Sequence, residues 1–531
     1  MEIDPASLPD DPVILREMLG NMTLEAAGLR AEIDKLHLMI KAFQRHRFGQ
    51  RSEQLNAGER QLVLEDLEQT MGDGAAASEA LGDVLPADPN KPNEKRTRKP
   101  RERNIGQLPA SLPRFTVTLD LEDKTCPCCR GELHRVGETT TEMLDIEPSP
   151  LRVKVILRPR YTCQACDTPI VQAPAPERPI DGGMATEALI AHVLISKFCD
   201  YLPLYRQSQM FQRQGIMLDR STLGDWIGRA CWWLRPLYDR VVSHVMTADK
   251  IFADDTGVPV LDPGRGRTKT GRFWCYAIDD RPWRGPLPPA AAYVYAVDRK
   301  GIRPAGHVED FRGTMQVDGY SGFGQVAKQR ADASVKLVFC WAHARRGLFE
   351  VHKSTQSPIA AEALARIAAL YVIEKDIRGR TAAQRQAERH ARSRPLVDAM
   401  HVWLQQQLAR ISKSSTLAKA IRYVFNHWEG LTYFLEDGRL ELDTNTVERE
   451  IRPIVLCRKN ALFAGNDSGA EHWAIAATLI ASAKLNGVNP LAYLTDVLER
   501  IVAGKTRSTE LDSLLPWNWR PDIGVKLAAA A

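Results

Sequence analysis

Three acidic residues stand where their carboxylates could together hold divalent metal ions. Asp254 follows the apolar start of IFADDTGVPVL, Asp318 ends the strand-like part of GTMQVDGYSGF, and Glu448 lies in VEREIRP at a predicted helix start. Burying a carboxylate without a partner costs several kcal/mol. Asp254 and its neighbour Asp255 therefore lie either in an exposed turn between two strands or beside a divalent cation that neutralises them.

Phosphodiester chemistry gives these acids a common purpose. Cutting or joining a phosphodiester needs in-line attack by water or a 3′ hydroxyl, which two bound ions promote at the attacking and leaving oxygens. Mg²⁺ (or Mn²⁺) prefers carboxylate oxygens to Cys or His. We therefore predict a Mg²⁺ site at Asp254, Asp318 and Glu448, with Asp255 on the opposite face because strand side chains alternate. The alternative for Glu448 is a weak surface ion pair with a nearby arginine.

The elements around these acids predict one catalytic core. Strand-like and helix-like segments alternate in the order βββ-α-β-α-β-α from Lys250 onward, and this is the order of a ribonuclease-H-like core. The predicted strands are 250–256, 271–280, 291–298, one ending at Asp318, and 334–341. In such a fold the first and fourth strands are neighbours, so Asp254 and Asp318 would converge at one edge. Glu448 follows a charged, helical insertion at about 357–440.

A second kind of metal site is predicted by two Cys-x-x-Cys pairs in TCPCCRGEL and YTCQACDTPI. Cys126 and Cys129 form one pair, and Cys163 and Cys166 form the other. Two such turns, with a strand-like stretch (RVKVILRPRY) between them, can supply four thiolates to one tetrahedral zinc. Cys128 could compete as a ligand, and a redox pair is the alternative. We predict a structural zinc.

Helical segments between the cysteines and the core predict a DNA-binding element. Residues 185–233 read as two or three helices, with a glycine-containing break before RSTLGDWIGRACWWLRPLY and a Ser/Thr cap at its start. This pattern is typical of a helix-turn-helix, in which Arg220, Ser221 and Thr222 would contact DNA. The alternative is an ordinary helical hairpin.

The N-terminal region predicts self-association and a flexible linker. Apolar residues recur at heptad spacing over 13–43, which indicates a coiled coil and a homo-oligomer. A single amphipathic helix packed on its own protein is the alternative. Farther on, KPNEKRTRKPRER could bind phosphates without sequence preference, or be a merely solvated linker.

Composition limits the function classes. The chain of 531 residues is long enough for three or more domains, and 44% hydrophobic with 26% charged residues is typical of globular protein. A formal charge of +5 means that any basic surface is local. No apolar run is long enough to span a bilayer, and the acidic N-terminus is not a signal peptide. Ten cysteines, mostly scattered, predict a reducing cytosol.

Several motifs together closely resemble transposases of the insertion sequence 66 family, bacterial enzymes of the DDE type. These motifs, spread over about residues 45–495, are RFGQRSEQL, CPCC, CQAC, YLPLYRQSQMFQRQG, ADDTGVPVLDPGRGRTKTGRFWCY, QVDGYSGF, CWAHARRGLFE, DTNTVEREIRPIVLCRKNALFAG and AKLNGVNPLAYL. The resemblance implies a ribonuclease-H-like catalytic domain with a helical insertion before the final acid. It also implies a DNA-bound oligomer that cleaves element ends and transfers their 3′ hydroxyls to target DNA.

Matching motif to motif places the DDE residues at Asp254, Asp318 and Glu448. The family commonly has Glu where this chain has Asp255. It also has two Asn residues after the equivalent of Asp443, where this chain has a Thr and an Asn. Asp443 in place of Glu448 is therefore an alternative third ligand.

Further DNA contacts are predicted near these acids. His343 and Arg345 of CWAHARR would position DNA, and His343 could instead carry protons or cap a helix. Trp341 is predicted to be core. Positive charge beside Glu448 predicts further phosphate contacts at Arg449, Arg452, Arg458 and Lys459.

The predicted organisation has seven parts. They are a coiled-coil or helical oligomerisation region at 13–70, a basic linker at 71–113, a zinc-ribbon-like DNA-binding module at 114–178, a helix-turn-helix-like domain at 183–245, a ribonuclease-H-like DDE catalytic domain at 247–480, its insertion at about 357–440, and a C-terminal tail at 481–531.

These features predict a Mg²⁺-dependent DNA transposase in the bacterial cytoplasm, associated with the nucleoid. Its partners would be element ends, target DNA, further copies of itself and accessory proteins encoded alongside, with no membrane. One alternative is a non-catalytic, zinc-dependent DNA-binding regulator, and another is a nuclease with the same core that hydrolyses DNA without strand transfer.

Overall fold

The computed structural model describes residues 151–161, 171–328 and 334–521. All of these belong to one compact unit of the chain, Glu147–Ala531. The predicted coiled coil, the basic linker and the four predicted zinc ligands lie outside the described residues.

Five strands form the central mixed sheet, and two short strands form a separate antiparallel pair. The short pair is β1 (Arg160–Tyr161) and β2 (Val171–Gln172), and the sheet contains β3 (Lys250–Leu261), β4 (Thr268–Ile278), β5 (Ala290–Ala296), β6 (Gly313–Val317) and β7 (Val335–Phe339). The strands lie in the order β5-β4-β3-β6-β7. β4 is antiparallel to both of its neighbours, β3 and β5, whereas β6 runs parallel to β3 and β7 runs parallel to β6. The predicted neighbourhood of the first and fourth core strands is therefore confirmed.

Strand β3 is longer than predicted and contains the two acids of its motif. Its first half buries Ile251, Phe252 and Ala253, and its second half alternates between buried and half-buried residues as a strand packed on one face does. The antiparallel pairing with β4 continues to Leu261. The alternative of an exposed turn at Asp254 is therefore wrong, because the chain reverses only after the strand has ended.

Among the described residues, three helices precede the sheet: α1 (Glu187–Phe198), α2 (Leu204–Arg213) and α3 (Arg220–Met246). The predicted break before Arg220 is present, and Gly215 supplies the positive φ of 83° that ends α2. The predicted Ser/Thr cap is wrong. Asp219 is the N-cap residue and makes no side-chain capping bond, so Ser221 and Thr222 lie within the first turn of α3.

The stretch before β1 also differs from the prediction. Residues 151–159 have no regular secondary structure, although their alternating sequence predicts a strand. Val153 and Leu157 are 87% and 82% exposed. Alternation alone cannot form a strand here because no neighbouring strand pairs with these residues in the part of the chain that the structure describes.

Helices cover the sheet, and the outer strand β5 is bonded to one of them. α12 (Asn445–Ala461), α13 (Asp467–Leu485) and α14 (Pro490–Val502) follow the insertion, and α4 (Ile302–His307), α5 (Ser321–Lys328) and α6 (Trp341–Thr355) connect the later strands. The N–H groups of Ala291 and Tyr293 in β5 donate to Ser482 Oγ and Thr478 Oγ1 of α13. These bonds satisfy strand groups that would otherwise be open to another chain.

The predicted insertion is helical. It contains α7 (Pro358–Ile377), α8 (Ala382–Glu388), a π-helical turn (Arg389–Ser393), α9 (Arg394–Arg410), α10 (Thr416–Asn426) and α11 (Trp428–Thr432), followed by a 3-10 turn (Tyr433–Leu435). Its core packs against Trp341, which is 1% exposed and donates its indole N–H to the Leu431 carbonyl, so the prediction that this residue is core is confirmed. After the insertion, a 3-10 helix at Ser508–Leu514 lies beyond α14.

Buried arginines hold the end of the insertion in place. Arg389 is fully buried, pairs with both oxygens of Glu374 at 2.7 and 2.6 Å, and donates to the carbonyl oxygens of Phe434 and Leu440. Arg385 is also buried and bonds Glu441 at 2.9 Å. These contacts fix the segment that leads into α12.

Arg389→Met should destabilise the fold by about 3–5 kcal/mol, because it leaves the carboxylate of Glu374 buried without its main partner. Urea unfolding of the full chain measures the loss. The matched control is Arg366→Met, which breaks a more exposed pair with Glu362 and should cost less than about 1 kcal/mol. Equal losses in the two variants would contradict the role given to the buried pair.

Candidate active site

The register of the sheet aligns Asp254 with Asp318. In the parallel β3–β6 pair, Ile251 lies opposite Met315 and Phe252 lies opposite Gln316. The same register, continued by two residues, sets Asp254 opposite Asp318. Because residues two apart share a face of a strand, both carboxyl groups project on one side of the sheet. Asp318 follows the last residue of β6 directly.

Each aspartate is fixed by a backbone bond. The Asp255 N–H donates to Asp254 Oδ1 at 2.7 Å, and the Tyr320 N–H donates to Asp318 Oδ1 at 2.8 Å. The second bond closes a turn in which Gly319 has φ of 93°. A Cβ at this glycine would lie 2.6 Å from the Tyr423 hydroxyl oxygen, so both its φ and its space require glycine.

Helix α12 carries Glu448, whose charge acts on Asp254. The segment before it is tied to β6, because Gln316 exchanges side-chain bonds with the N–H and the carbonyl of Glu441 at 3.0 and 2.9 Å. Thr444 is the N-cap residue, and its hydroxyl donates to Glu448 Oε1 at 2.9 Å. Glu448 lies in the first helical turn, and α12 packs on β3 and β4.

Two of the acids act on the third, Asp254. Burial raises the pKa of Asp254 well above its usual range, and the charges of Asp318, Glu448 and then Asp255 raise it further. The bond from the Asp255 N–H opposes this rise. Half-buried carboxylates that repel one another are stabilised in their ionised form by a divalent cation between them.

The donor set fits Mg²⁺ or Mn²⁺ better than a softer metal. Among the described residues, the His, Cys, Asp and Glu side chains whose ligand atoms all lie within 4.8 Å of one another are Cys340, His343 and Glu448. However, burial raises the pKa of the Cys340 thiol to about 12, and a thiolate is the form that binds zinc. The oxygen donors of Asp254, Asp318 and Glu448 are those that magnesium prefers.

His343 and Asp443 both lie near Glu448. His343 Nδ1 is 3.8 Å from Glu448 Oε1, in the first turn of α6. Burial raises the pKa of Asp443 to about 7, and its oxygens accept from the backbone N–H and the side-chain amide of Asn445. Asp443 therefore supports the start of α12, whereas the charge of Glu448 acts directly on Asp254.

The predicted DNA-contacting residues have different surroundings. Arg449 and Lys459 are exposed on α12, whereas Arg452 and Arg458 are half-buried. Arg458 donates to the Gly257 carbonyl of β3, so it holds the helix against the strand.

The remaining predicted contacts lie on other helices. Arg345 stacks on the Phe349 ring at 5.7 Å. Arg220 and Ser221 are exposed at the start of α3, and Thr222 is half-buried.

Sequence reasoning did not find the partners of Asp255. Its side chain is fully buried, and Arg272 and Arg299 bind it. Arg272 lies on β4 opposite Gly257, one diagonal step from Asp255, and only the strand register reveals this proximity. The position of Asp255 away from the other acids agrees with the predicted alternation.

Asp254→Asn should raise the thermal midpoint of unfolding in magnesium-free buffer. The buffer contains no chelator, so that any bound zinc stays in place. Because the raised pKa makes the folded state hold its proton more tightly, stability is lost as pH rises from about 4 through that pKa. Asparagine does not ionise, so the variant does not lose this stability. Added Mg²⁺ should stabilise the wild type more than the variant.

Asp262→Asn, at the end of β3, is the matched control and should show neither effect. A lower midpoint for Asp254→Asn, or the same magnesium response as the wild type, would contradict the shared cation site.

Family models match four parts of this chain. The model described as "Transposase IS66 family" matches residues 182–472, and the "IS66 C-terminal element" matches 478–517. "Transposase C of IS166 homeodomain" matches 35–117, and the "zinc-finger binding domain of transposase IS66" matches 123–167. The last range contains all four cysteines predicted to bind zinc and supports a structural zinc.

Relatives over nearly the full length come from Sinorhizobium fredii. The uncharacterized protein y4jD is 45% identical over 525 residues, which cover 98% of this chain and 99% of that protein. The uncharacterized protein y4qI is 36% identical over 551 residues, with coverage of 98% and 99%.

No helix among the described residues has the length and apolar character needed to cross a membrane.

Proposed function

Because the chain belongs to the IS66 family of transposases, we propose that it is a Mg²⁺-dependent enzyme that cleaves the ends of its insertion sequence and transfers their 3′ hydroxyls to target DNA. The observation that carries this proposal is the strand register that sets Asp254 opposite Asp318, together with the action of Glu448 on the same carboxylate. A regulator that only binds DNA has no need of this arrangement.

The cofactor would be held by Asp254, Asp318 and Glu448. Bound Mg²⁺ would supply the charge that activates the attacking oxygen and stabilises the leaving oxygen. The protein's own part is to hold the three carboxylates in fixed orientations. Backbone bonds aim the two aspartates, and the Thr444 hydroxyl aims Glu448. His343, next to Glu448, is placed to hold a proton or a DNA phosphate.

The DNA would be held by basic residues around this site and by the preceding modules. Arg449 and Lys459 are exposed on the helix that carries Glu448, and Arg220 and Ser221 are exposed at the start of α3. Phosphate contacts from such residues set the position of the DNA without reading its sequence. Arg345, Arg452, Arg458 and Thr222 are more enclosed and would mainly support these contacts.

The catalytic core would be ribonuclease-H-like. Three antiparallel strands followed by two parallel ones, with β3 between β4 and β6, support this proposal, as does the helical insertion before Glu448. We also propose the predicted boundaries of the other domains. The protein would form a homo-oligomer, act with accessory proteins encoded alongside, and work in the bacterial cytoplasm at the nucleoid.

End cleavage in vitro tests this function. Labelled duplex carrying the element's terminal repeat is incubated with full-length protein and Mg²⁺ or Mn²⁺, and nicked and joined products are measured. Asp254→Asn, Asp318→Asn and Glu448→Gln should each reduce nicking by at least about 100-fold, because even the loss of a residue behind a metal ligand costs 10–100-fold. DNA binding should survive in all three variants.

Asp262→Asn is the matched control and should nick like the wild type. Unchanged nicking by Glu448→Gln would move the third ligand elsewhere, with Asp443→Asn the next variant. Wild-type nicking without any joined product would favour the hydrolytic nuclease, and binding without nicking would favour the regulator.

A further inference from the structure

Asp255 gathers two arginines on the face of the sheet opposite Asp254. Its carboxylate is fully buried and bonds Arg272 Nη1 at 2.8 Å. Arg299 binds the same carboxylate through Nε at 3.1 Å and Nη2 at 2.9 Å. A planar guanidinium that forms two bonds to one carboxylate is held in a defined orientation.

Arg299 continues from Asp255 to the turn that carries Asp318. Its guanidinium lies 3.9 Å from the centre of the Tyr320 ring, and the Tyr320 hydroxyl donates to the Arg299 carbonyl. The N–H of the same tyrosine donates to Asp318 Oδ1. One side chain therefore links the residue after Asp254 to the residue that aims Asp318.

We propose that Arg299 is a positioning residue for the metal site. Held by Asp255 and stacked on Tyr320, it fixes the Asp318–Tyr320 turn and so keeps the Asp318 carboxylate directed at its partners. Cation–π contact with a partly buried ring adds to the two charge-assisted bonds and opposes rotation of the tyrosine. Asp255 contributes by holding the guanidinium against the Tyr320 ring.

The rest of the surroundings agree with a positioning role. Phe323 and Trp274 pack against the Tyr320 ring, with centroid distances of 6.0 and 6.2 Å, and limit its rotation. Arg299 itself is 41% exposed, so packing of the hydrophobic core does not require an arginine at this position. Residues behind metal ligands typically change metal affinity or activity by 10–100-fold.

Arg303 provides a matched control. It lies four residues farther on, is also 41% exposed, and pairs with Asp298. Its partner is not in the chain of contacts that leads to Asp318. A change in local charge alone would therefore affect the two arginine variants alike.

The inference rests on the proposed function, and manganese binding tests it without requiring cleavage. The full-length protein, bound to duplex with the terminal repeat, is titrated with Mn²⁺ and free Mn²⁺ is followed by electron paramagnetic resonance. Asp254→Asn defines the binding that belongs to the site. Arg299→Met should weaken this binding by about 10-fold or more. Arg303→Met should leave it unchanged.

Cleavage supplies the second readout. Nicking by Arg299→Met should recover when the metal concentration is raised, because the variant lacks affinity and not a reacting group. Arg299→Lys keeps the charge without the planar fork, should fold, and should also bind Mn²⁺ more weakly; it decides the matter if Arg299→Met does not fold.

Equal manganese affinity in the Arg299 and Arg303 variants, with Asp254-dependent binding intact, would overturn the inference and leave the proposed function standing. Absence of any Asp254-dependent binding in the wild type would overturn the metal site itself and the inference with it.

Discussion

The negative charge collected around Asp254 is the constraint on which the rest of the structure depends. Its neighbours Asp318 and Glu448 come from a parallel strand and from a helix far along the chain, and their charges raise its pKa beyond the effect of burial. Folding alone gains nothing from bringing carboxylates together in a half-buried place. Such an arrangement is stable when a cation completes it, and perturbed carboxylates of this kind are concentrated at functional sites.

The scaffold holds these acids through bonds that run between elements distant in the chain. The Gln316 side chain joins β6 to Glu441, and the backbone N–H of Trp341, at the start of α6, donates to the Leu442 carbonyl. The segment that enters α12 is therefore fixed from two sides before Thr444 contacts Glu448. Behind it, Arg385 and Arg389 anchor the end of the insertion. The insertion separates Glu448 from the strands in sequence, and these bonds return it to them in space.

The succession of strands along the chain and the ends of those strands could be predicted from the sequence because both are local signals, whereas the pairing of β3 with β6 was predicted from the ribonuclease-H-like order. The strand-like starts before Asp254 and Asp318 and the helix start before Glu448 are visible as changes in hydrophobic period. Interactions between elements are not visible in this way. The pairing of Asp255 with Arg272 and Arg299 depends on the sheet register and on a loop after β5, so no sequence pattern marked it.

Local signals also misled where context decided. The alternating residues around Val153 and Leu157 have no described strand to pair with, so they are not a strand. Likewise, Asp219 precedes the serine and threonine that were expected to begin α3 and takes the N-cap position itself. Capping depends on the path of the backbone before the helix, and strand formation depends on a partner strand, as well as on the residue types present.

The most direct measurement maps the bound ion onto the chain. Iron(II) added in place of Mg²⁺, with ascorbate and peroxide, generates hydroxyl radicals that cut the backbone beside the bound metal. If the three acids share one metal site, we expect cuts near residues 254, 318 and 448 of one chain. Excess Mg²⁺ should suppress all of these cuts, and all should be absent in Asp254→Asn. Cuts confined to other segments, or cuts at these three places that persist in Asp254→Asn, would contradict a single site shared by the three acids.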